Sequence, residues 1–283
     1  MKNIVKITNL RKRFLETEAL KDVSFEVEEG EIFGLLGPSG SGKTTTINIL
    51  TGQMSSTSGE VEVLGWNESG LKSSKFRSEI GILTDNSALY ERLTVYDNLN
   101  LFCKLYNAPL ERIDEMLELV NMKDDGNKQV AKLSRGMKQR ILLCKALIHK
   151  PKLVFLDEPT SALDPGNVVH IHKGLKKLNE LGTTIFLTTH NMEEATKLCH
   201  RVAFLHEGEI KEIGNPEELR YKYSTGEFHI ILTDGKTLTI ANTPENADQM
   251  KELIATGQIK SMHTDFPTLG EIFLEITGKE LAR

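Results

Sequence analysis

The chain has 283 residues, of which 39% are hydrophobic and 27% are charged, a composition typical of a folded protein with about two domains. A formal net charge of −5 disfavours nucleic acid as the main partner. No apolar run reaches the roughly 18 residues of a membrane span, and the segment MKNIVKITNL lacks the apolar core of a signal peptide, so we expect a cytoplasmic protein.

The N-terminal region predicts antiparallel strands, then a buried strand and a helix. IVKITNL and VSFEVEEGEI alternate polar and apolar residues, with turn residues nearby. EIFGLL, residues 31–36, is a short apolar strand that leads into GPSGSGKTTT and an amphipathic helix. Residues 94–150 then have helical spacing, and Thr94 with Asp97 predicts a capping box at the start of that region.

The remaining sequence alternates strands and helices until its composition changes near Tyr221. LVFLDE and TTIFLTTH predict buried strands, with a helix between them at about residues 167–181. Beyond Tyr221, FHIILTDGKTLTI predicts an Asp-Gly hairpin, and a helix, a strand and a final helix follow. We therefore predict an α/β domain of residues 1–220 and a small α+β domain of residues 221–283.

The segment GPSGSGKT, between a strand and a helix, matches the phosphate-binding pattern G-x-x-x-x-G-K-[ST]. Its glycines let backbone N–H groups turn towards phosphate oxygens, and the helix that follows adds its positive N-terminal end. Lys43 is expected to reach the β- and γ-phosphates, and Thr44 to hold Mg²⁺. The nucleotide-binding residues predicted here are Gly37, Pro38, Ser39, Gly40, Ser41, Gly42, Lys43, Thr44 and Thr45.

Two further strands are expected to deliver polar side chains to the same place. LVFLDE ends in Asp157 and Glu158, and TTIFLTTH ends in His190. Because ligands of open α/β sheets bind beyond the carboxyl ends of the strands, Asp157 is expected near Mg²⁺ and Glu158 one residue further out. The alternative is that the acids are solvated strand ends and His190 is structural. These side chains and the phosphate-binding loop can meet only if the three strands that precede them are parallel neighbours, which the sequence does not establish.

The segment LSRGMKQR, residues 133–140, predicts the start of another helix. Apolar residues continue from Met137 at helical spacing, which places Ser134 at the N-cap and Gly136 in the first turn. Glycine costs about 1 kcal/mol relative to alanine inside a helix. An ordinary capped helix explains Ser134 but leaves Gly136 unexplained.

Together GPSGSGKTT, LSRGM, LVFLDEPTSALDP and TTH, in this order, resemble the ATP-binding-cassette ATPases over about residues 1–220. The resemblance implies an α/β fold with a P-loop NTPase core, an antiparallel β subdomain and a helical subdomain at about residues 86–150. The small α+β domain would follow this core. ATP and Mg²⁺ are the implied cofactors. A GTPase is disfavoured because the sequence has no NKxD-like motif, which would recognise guanine.

In that family two copies pack head to tail with ATP buried between them. By resemblance, Ser134, Arg135 and Gly136 would contact the γ-phosphate held by the other copy, with Gly136 leaving room for a phosphate oxygen. Ser161 to Asp164 match the loop that links the two sites across such a dimer.

The same resemblance assigns catalytic roles. Glu158 would deprotonate the attacking water, His190 would couple the γ-phosphate to that base, and Lys43 would stabilise charge on the phosphoryl oxygens. Asp157 and Thr44 would organise Mg²⁺. Phe14 matches the aromatic residue on which relatives stack adenine, and the alternative is a phenylalanine of the core.

Asp85, in IGILTDNSALY, stands where the family usually has a glutamine that touches Mg²⁺ and water. A carboxylate there can still ligate Mg²⁺, whereas the alternative is that Asp85 only caps a turn. We predict that Asp85→Asn raises ATP affinity without metal and lowers Mg²⁺-dependent turnover. Nucleotide titration and steady-state hydrolysis, each with and without Mg²⁺, check this. Equal effects under both conditions would contradict a metal-ligand role.

Because a lone cassette has no bilayer span, a transport function requires separate transmembrane permease chains. By resemblance to the family, the coupling helices of that permease would meet the segment near residues 85–110. The ending PTLGEIFLEITGKEL is similar to the tails of ATPases that serve bacterial exporters of drugs, antibiotics, peptides or lipids; an anonymous amphipathic helix is the alternative. We therefore predict an ATP-hydrolysing exporter subunit, dimeric and peripheral on the cytoplasmic face of the membrane. The alternatives are a soluble ATPase of this family or a regulatory ATP-binding subunit uncoupled from transport.

Overall fold

The computed structural model describes residues 2–84, 87–264 and 266–278. These residues form two compact units, one of residues 2–214 and one of residues 215–278. The division falls after Gly214, whereas the change in composition suggested Tyr221, which lies inside a helix. Within the described ranges, no helix is both long enough and apolar enough to cross a bilayer.

The first unit contains ten strands and seven α-helices in its described residues. The strands are β1 (Asn3–Phe14), β2 (Thr17–Glu28), β3 (Ile32–Leu36), β4 (Ser58–Val63), β5 (Trp66–Asn67), β6 (Ile80–Leu83), β7 (Leu153–Asp157), β8 (Thr184–Thr189), β9 (Arg201–His206) and β10 (Glu209–Gly214). The helices are α1 (Lys43–Leu50), α2 (Ser74–Glu79), α3 (Val95–Tyr106), α4 (Glu111–Leu119), α5 (Arg135–Leu147), α6 (Pro165–Glu180) and α7 (Met192–Leu198).

Two sheets form the framework of this unit. The predicted antiparallel strands lie in a four-stranded sheet of order β2-β1-β4-β5. The six-stranded sheet has the order β10-β9-β3-β8-β7-β6, parallel except for β10, which pairs antiparallel with β9. Strands β3, β7 and β8 are buried at every residue, as expected for parallel strands covered on both faces.

Stacked aromatic rings pack one sheet against the other. Phe25 of β2 lies 5.2 Å from Phe33 of β3, measured between ring centroids, and Phe33 lies 5.6 Å from Phe186 of β8. All three side chains are buried in the main hydrophobic core. Ring pairs at this spacing contribute beyond the area that they bury, so the core fixes β3 and β8 at the centre of the fold.

Helices α3, α4 and α5 form the helical segment predicted after Thr94. The Thr94 hydroxyl caps α3 by accepting from the Asp97 backbone N–H at 3.0 Å. The Asp97 carboxylate bonds to the Thr94 hydroxyl, which gives half of the predicted capping box. A full capping box needs the longer Glu or Gln side chain at that position. At the far end of α5, the buried Arg112 guanidinium donates to the carbonyls of Leu147 and Ile148.

The second unit is a small α+β fold with the predicted hairpin. Its elements are α8 (Pro216–Lys222), β11 (Glu227–Leu232), β12 (Thr237–Ala241), α9 (Ala247–Ala255), β13 (Ile259–Thr264) and α10 (Leu269–Thr277). The antiparallel sheet has the order β12-β11-β13. Leu253 of α9 packs on Ile230, Leu232 and Ile240 of the sheet. A complete capping box, formed by Thr268 and Glu271, starts α10.

Candidate functional site

The three strands that end in polar groups are parallel neighbours. Strand β8 lies between β3 and β7, with Leu36 opposite Thr189 and Asp157 opposite Thr188. The segments that follow these strands therefore leave the sheet at the same edge. The prediction that the polar residues after these strands meet at one site required the strands to be parallel neighbours, and they are.

The loop after β3 curls around the side chain of its own lysine. Lys43 Nζ donates to the carbonyl oxygens of Gly37 at 2.7 Å and Pro38 at 3.0 Å. Gly42 has φ +113°, and a β-carbon there would lie 2.9 Å from the Ala19 carbonyl oxygen, so only glycine fits this position without strain. Burial lowers the pKa of Lys43, and the nearby carboxylates of Glu158 and Asp157 act in the opposite direction.

A cavity of about 310 Å³ lies against this loop. Its lining residues are Ala19, Ser39, Gly40, Gly42, Lys43, Thr44, Thr45, Asp157 and Glu158. Most of the predicted phosphate-binding residues therefore share one cavity with the two acids. Gly37, Pro38 and Ser41 belong to the loop without lining it. Ser41 Oγ is buried and has no hydrogen-bond partner within the described chain.

Asp157 and Thr44, two of the predicted Mg²⁺ ligands, are in direct contact. Thr44 Oγ1 donates to Asp157 Oδ2 at 2.8 Å, and the Thr188 hydroxyl donates to the other Asp157 oxygen. Hydroxyl and carboxylate oxygens suit Mg²⁺, which usually takes one or two protein ligands plus substrate phosphates. Among the described residues, no group of three or more His, Cys, Asp and Glu is placed to hold a metal ion. Asp85, the third predicted ligand, lies outside the described residues.

Glu158 and His190 are in direct contact. His190 Nδ1 lies 2.8 Å from Glu158 Oε2, and Lys43 Nζ lies 3.7 Å from Glu158 Oε1. The Glu158 backbone donates to the Thr188 carbonyl at 3.1 Å and has φ +48°, in the left-handed region. Such a conformation in a non-glycine residue costs about 1–3 kcal/mol and is concentrated at functional sites. The strained turn directs the carboxylate towards both Lys43 and His190.

Phe14 lies at the end of β1, in the β1–β2 hairpin. Its side chain is 42% exposed, with Lys12 Nζ 4.9 Å from the ring centroid. The alternative of a core phenylalanine is therefore wrong. Ala19, on the returning strand of the hairpin, lines the cavity beside Lys43. Adenine stacking on Phe14 stays a prediction.

Ser134, Arg135 and Gly136 start α5 as the sequence predicted. Ser134 Oγ accepts from the Met137 backbone N–H at 3.2 Å, and both Ser134 and Arg135 are exposed. None of these three residues is among the described residues that line the cavity at Lys43. A β-carbon on Gly136 would lie 2.8 Å from the Ala162 carbonyl oxygen. The view that only a partner's phosphate explains Gly136 is therefore wrong, because the chain's own loop requires a small residue there.

Several polar residues lie behind the site and were not predicted from the sequence. They are Thr160, His172, Thr188, Thr189 and Glu194, which are linked to Asp157 or to one another by hydrogen bonds. The threonine pair just before His190 was a visible signal, because a buried hydroxyl at a strand end needs a partner. Glu194, four residues after His190, carried no such signal.

Comparison with known proteins identifies the family. A family model described as ABC transporter matches residues 20–161. The chain belongs to the ABC transporter family. The fluoroquinolones export ATP-binding protein MT2762 of Mycobacterium tuberculosis is 36% identical over 269 residues, which cover 93% of this chain and 89% of that relative. The methionine import ATP-binding protein MetN of Clostridioides difficile is 36% identical over 278 residues, covering 93% and 85%.

A solved structure gives the same fold. The ATP-binding cassette MJ0796, in a dimeric post-hydrolysis state bound to ADP and Pi, matches 75% of this ABC protein and 98% of its own chain. The TM-score is 0.68 at 30% identity. The predicted P-loop NTPase fold and ATPase activity are confirmed. This ABC protein is an ATP-binding and ATP-hydrolysing subunit of a transporter.

Proposed function

We propose that this ABC ATPase works as a dimer with two ATP molecules enclosed between its copies, coupled to a separate transmembrane permease that exports a drug, antibiotic, peptide or lipid-like molecule. The observation that supports the dimer is the separation of the two segments predicted to contact phosphate. Lys43 and its loop line one cavity, whereas the exposed start of α5 at Ser134 lies outside it. A second copy would bring the start of its α5 to this cavity, as the dimeric state of MJ0796 supports.

The contacts at the cavity support a division of roles during hydrolysis. Glu158 would accept the proton of the attacking water, with His190 at 2.8 Å holding its carboxylate. Lys43 would exchange its carbonyl partners for phosphate oxygens. Thr44 and Asp157 would hold Mg²⁺, which when bound neutralises charge on the phosphates.

The direction of transport rests on similarity. The M. tuberculosis relative is an export ATP-binding protein, and the tail sequence around α10 resembles exporter ATPases. The equally similar C. difficile relative is a methionine import protein, so import of a small solute is the second candidate. The small second unit, residues 215–278, is proposed as an accessory domain attached to the cassette.

Purification from membranes of the source cell tests the function. We expect the tagged full chain to bring down a membrane protein with several spans, and the complex to hydrolyse ATP. A deletion strain should accumulate the exported compound and become more sensitive to it, whereas an import system would show lost uptake. Recovery of the chain without any membrane protein would contradict coupling to a permease.

A further inference from the structure

A buried carboxylate lies directly behind the Glu158–His190 pair. Glu194, in the first turn of α7, has a side chain that is 2% exposed. Its backbone N–H is held by Asn191 Oδ1 at 3.0 Å, which caps that helix. A carboxylate this deeply buried is rare unless its oxygens are fully paired.

The Glu194 oxygens accept hydrogen bonds from two separate segments, the loop after β7 and the end of β8. Oε1 accepts from the Thr160 hydroxyl at 2.7 Å, and Oε2 accepts from the Thr189 hydroxyl at 2.8 Å. Thr160 is two residues beyond Glu158, and Thr189 immediately precedes His190. One rigid group therefore fixes the spacing between the two backbone segments that carry the base and the histidine.

A third donor comes from helix α6. His172 Nε2 lies 2.9 Å from Glu194 Oε1, and its side chain is largely buried. Burial alone would raise the pKa of Glu194, but the hydrogen bonds from His172, Thr160 and Thr189 outweigh it and lower the pKa. The group therefore stays an ionised acceptor at neutral pH, and charge-assisted hydrogen bonds of this kind are stronger and shorter than neutral ones.

We propose that Glu194 is a positioning residue for ATP hydrolysis, which holds the Glu158 carboxylate and the His190 imidazole in their mutual geometry. This inference rests on the roles proposed above for Glu158 and His190. Glu194 is not among the described residues that line the cavity at Lys43, and its hydrogen bonds run to Thr160 and Thr189, in the segments that carry Glu158 and His190. Small misplacements of a catalytic group cost large factors in rate, while substrate binding by other residues persists.

Kinetics of the purified full chain test this role. Glu194→Ala is expected to lower kcat by about tenfold or more while KM for ATP stays within about twofold. Glu194→Gln keeps the shape and one acceptor oxygen, and we expect it to recover at least half of the lost rate. Thr160→Val removes only the link to the Glu158 loop and should lower kcat by about threefold to tenfold at unchanged KM.

Two carboxylates serve as matched controls. Glu193 is the exposed neighbour that pairs with Lys197 on the same helix, so Glu193→Ala should leave both kinetic constants unchanged. Glu31 is a buried carboxylate paired with Arg201. Glu31→Ala should lower the melting temperature without lowering kcat. It therefore controls for the loss of stability that follows from removing a buried carboxylate.

The outcomes separate this inference from the function on which it rests. If Glu194→Ala and Thr160→Val keep kcat within about twofold while Glu158→Gln is inactive, the positioning role is wrong and the proposed chemistry stands. If both variants raise KM as much as they lower kcat, the role is structural and the inference is also wrong. If Glu158→Gln hydrolyses ATP at the wild-type rate, the assigned base and the positioning role fall together.

Discussion

Glu158→Gln is expected to lower ATP turnover by at least about 100-fold, in line with the contribution of a general base, while ATP binding persists. The amide keeps the size of the side chain but cannot accept the proton of the attacking water. It also removes a negative charge 3.7 Å from Lys43 Nζ and beside the cavity that would hold the triphosphate. ATP affinity should therefore stay the same or rise.

Asp157→Asn is the variant that distinguishes loss of the general base from loss of a proposed Mg²⁺ ligand. Asp157 accepts the Thr44 hydroxyl and belongs to the proposed Mg²⁺ ligands, so its amide should weaken Mg²⁺-dependent nucleotide binding as well as turnover. Turnover is measured by phosphate release, and binding by titration with a fluorescent ATP analogue with and without Mg²⁺. A substitution of the exposed Glu180, at the end of α6, serves as the control for loss of a charge elsewhere.

Two results would contradict the role of Glu158. Retention of more than about a tenth of the wild-type turnover in Glu158→Gln would mean that another group activates water. Loss of ATP binding together with turnover would mean that Glu158 is needed to build the cavity. Since the Glu158 backbone N–H is held by the Thr188 carbonyl, a contact that does not involve the substituted side chain, we expect the cavity to survive.

The phosphate loop, the residues at the strand ends and the helix N-cap could be predicted from the sequence because each depends on residues that are close together in the chain. The phosphate loop is contiguous, and its fit depends on glycines and a lysine at fixed spacing. Buried parallel strands appear as apolar runs, so LVFLDE and TTIFLTTH were visible, and their ends identified Asp157, Glu158 and His190. Ser134 was placed correctly because N-cap preferences are local.

Contacts between distant segments could not be predicted in this way. The order of β3, β8 and β7 is set by tertiary packing. From the sequence, their adjacency could only be assumed when the polar residues at their ends were predicted to meet. The crowding of Gly136 by the Ala162 carbonyl depends on how α5 packs against the loop after β7. Glu194 reads as a surface residue of an amphipathic helix, and only the folded chain brings it to Thr160 and Thr189.

Ser134→Asp is expected to prevent ATP-dependent dimerisation without destabilising the folded chain. Aspartate is as good an N-cap as serine, and a negative charge suits a helix N-terminus, so the cap on Met137 N–H should persist. The same charge would face the triphosphate held by the other copy. Like charges brought together at an interface cost several kcal/mol, so the dimer dissociation constant should rise at least about 100-fold.

The experiment uses the Glu158→Gln background, in which bound ATP is not consumed. With ATP and Mg²⁺, we expect the parent to run as a dimer in size-exclusion chromatography with light scattering, and Ser134→Asp to run as a monomer. Ser73 caps α2 in the same manner, by accepting from the Phe76 N–H at 3.2 Å. Ser73→Asp is therefore the matched control and should dimerise like the parent.

The aspartate separates the two interpretations of the LSRGM segment, because they predict different outcomes for dimerisation. If Ser134 only caps α5, its replacement by another good cap leaves both thermal stability and dimerisation unchanged. If Ser134 contacts the partner's phosphate, stability is kept and dimerisation is lost. Ser134→Ala cannot make this distinction, because it removes the cap, at about 1 kcal/mol, together with the hydroxyl. A stable Ser134→Asp protein that still dimerises would contradict a contact between Ser134 and the partner's ATP. The glycine at position 136 would then be explained by the close Ala162 carbonyl oxygen alone.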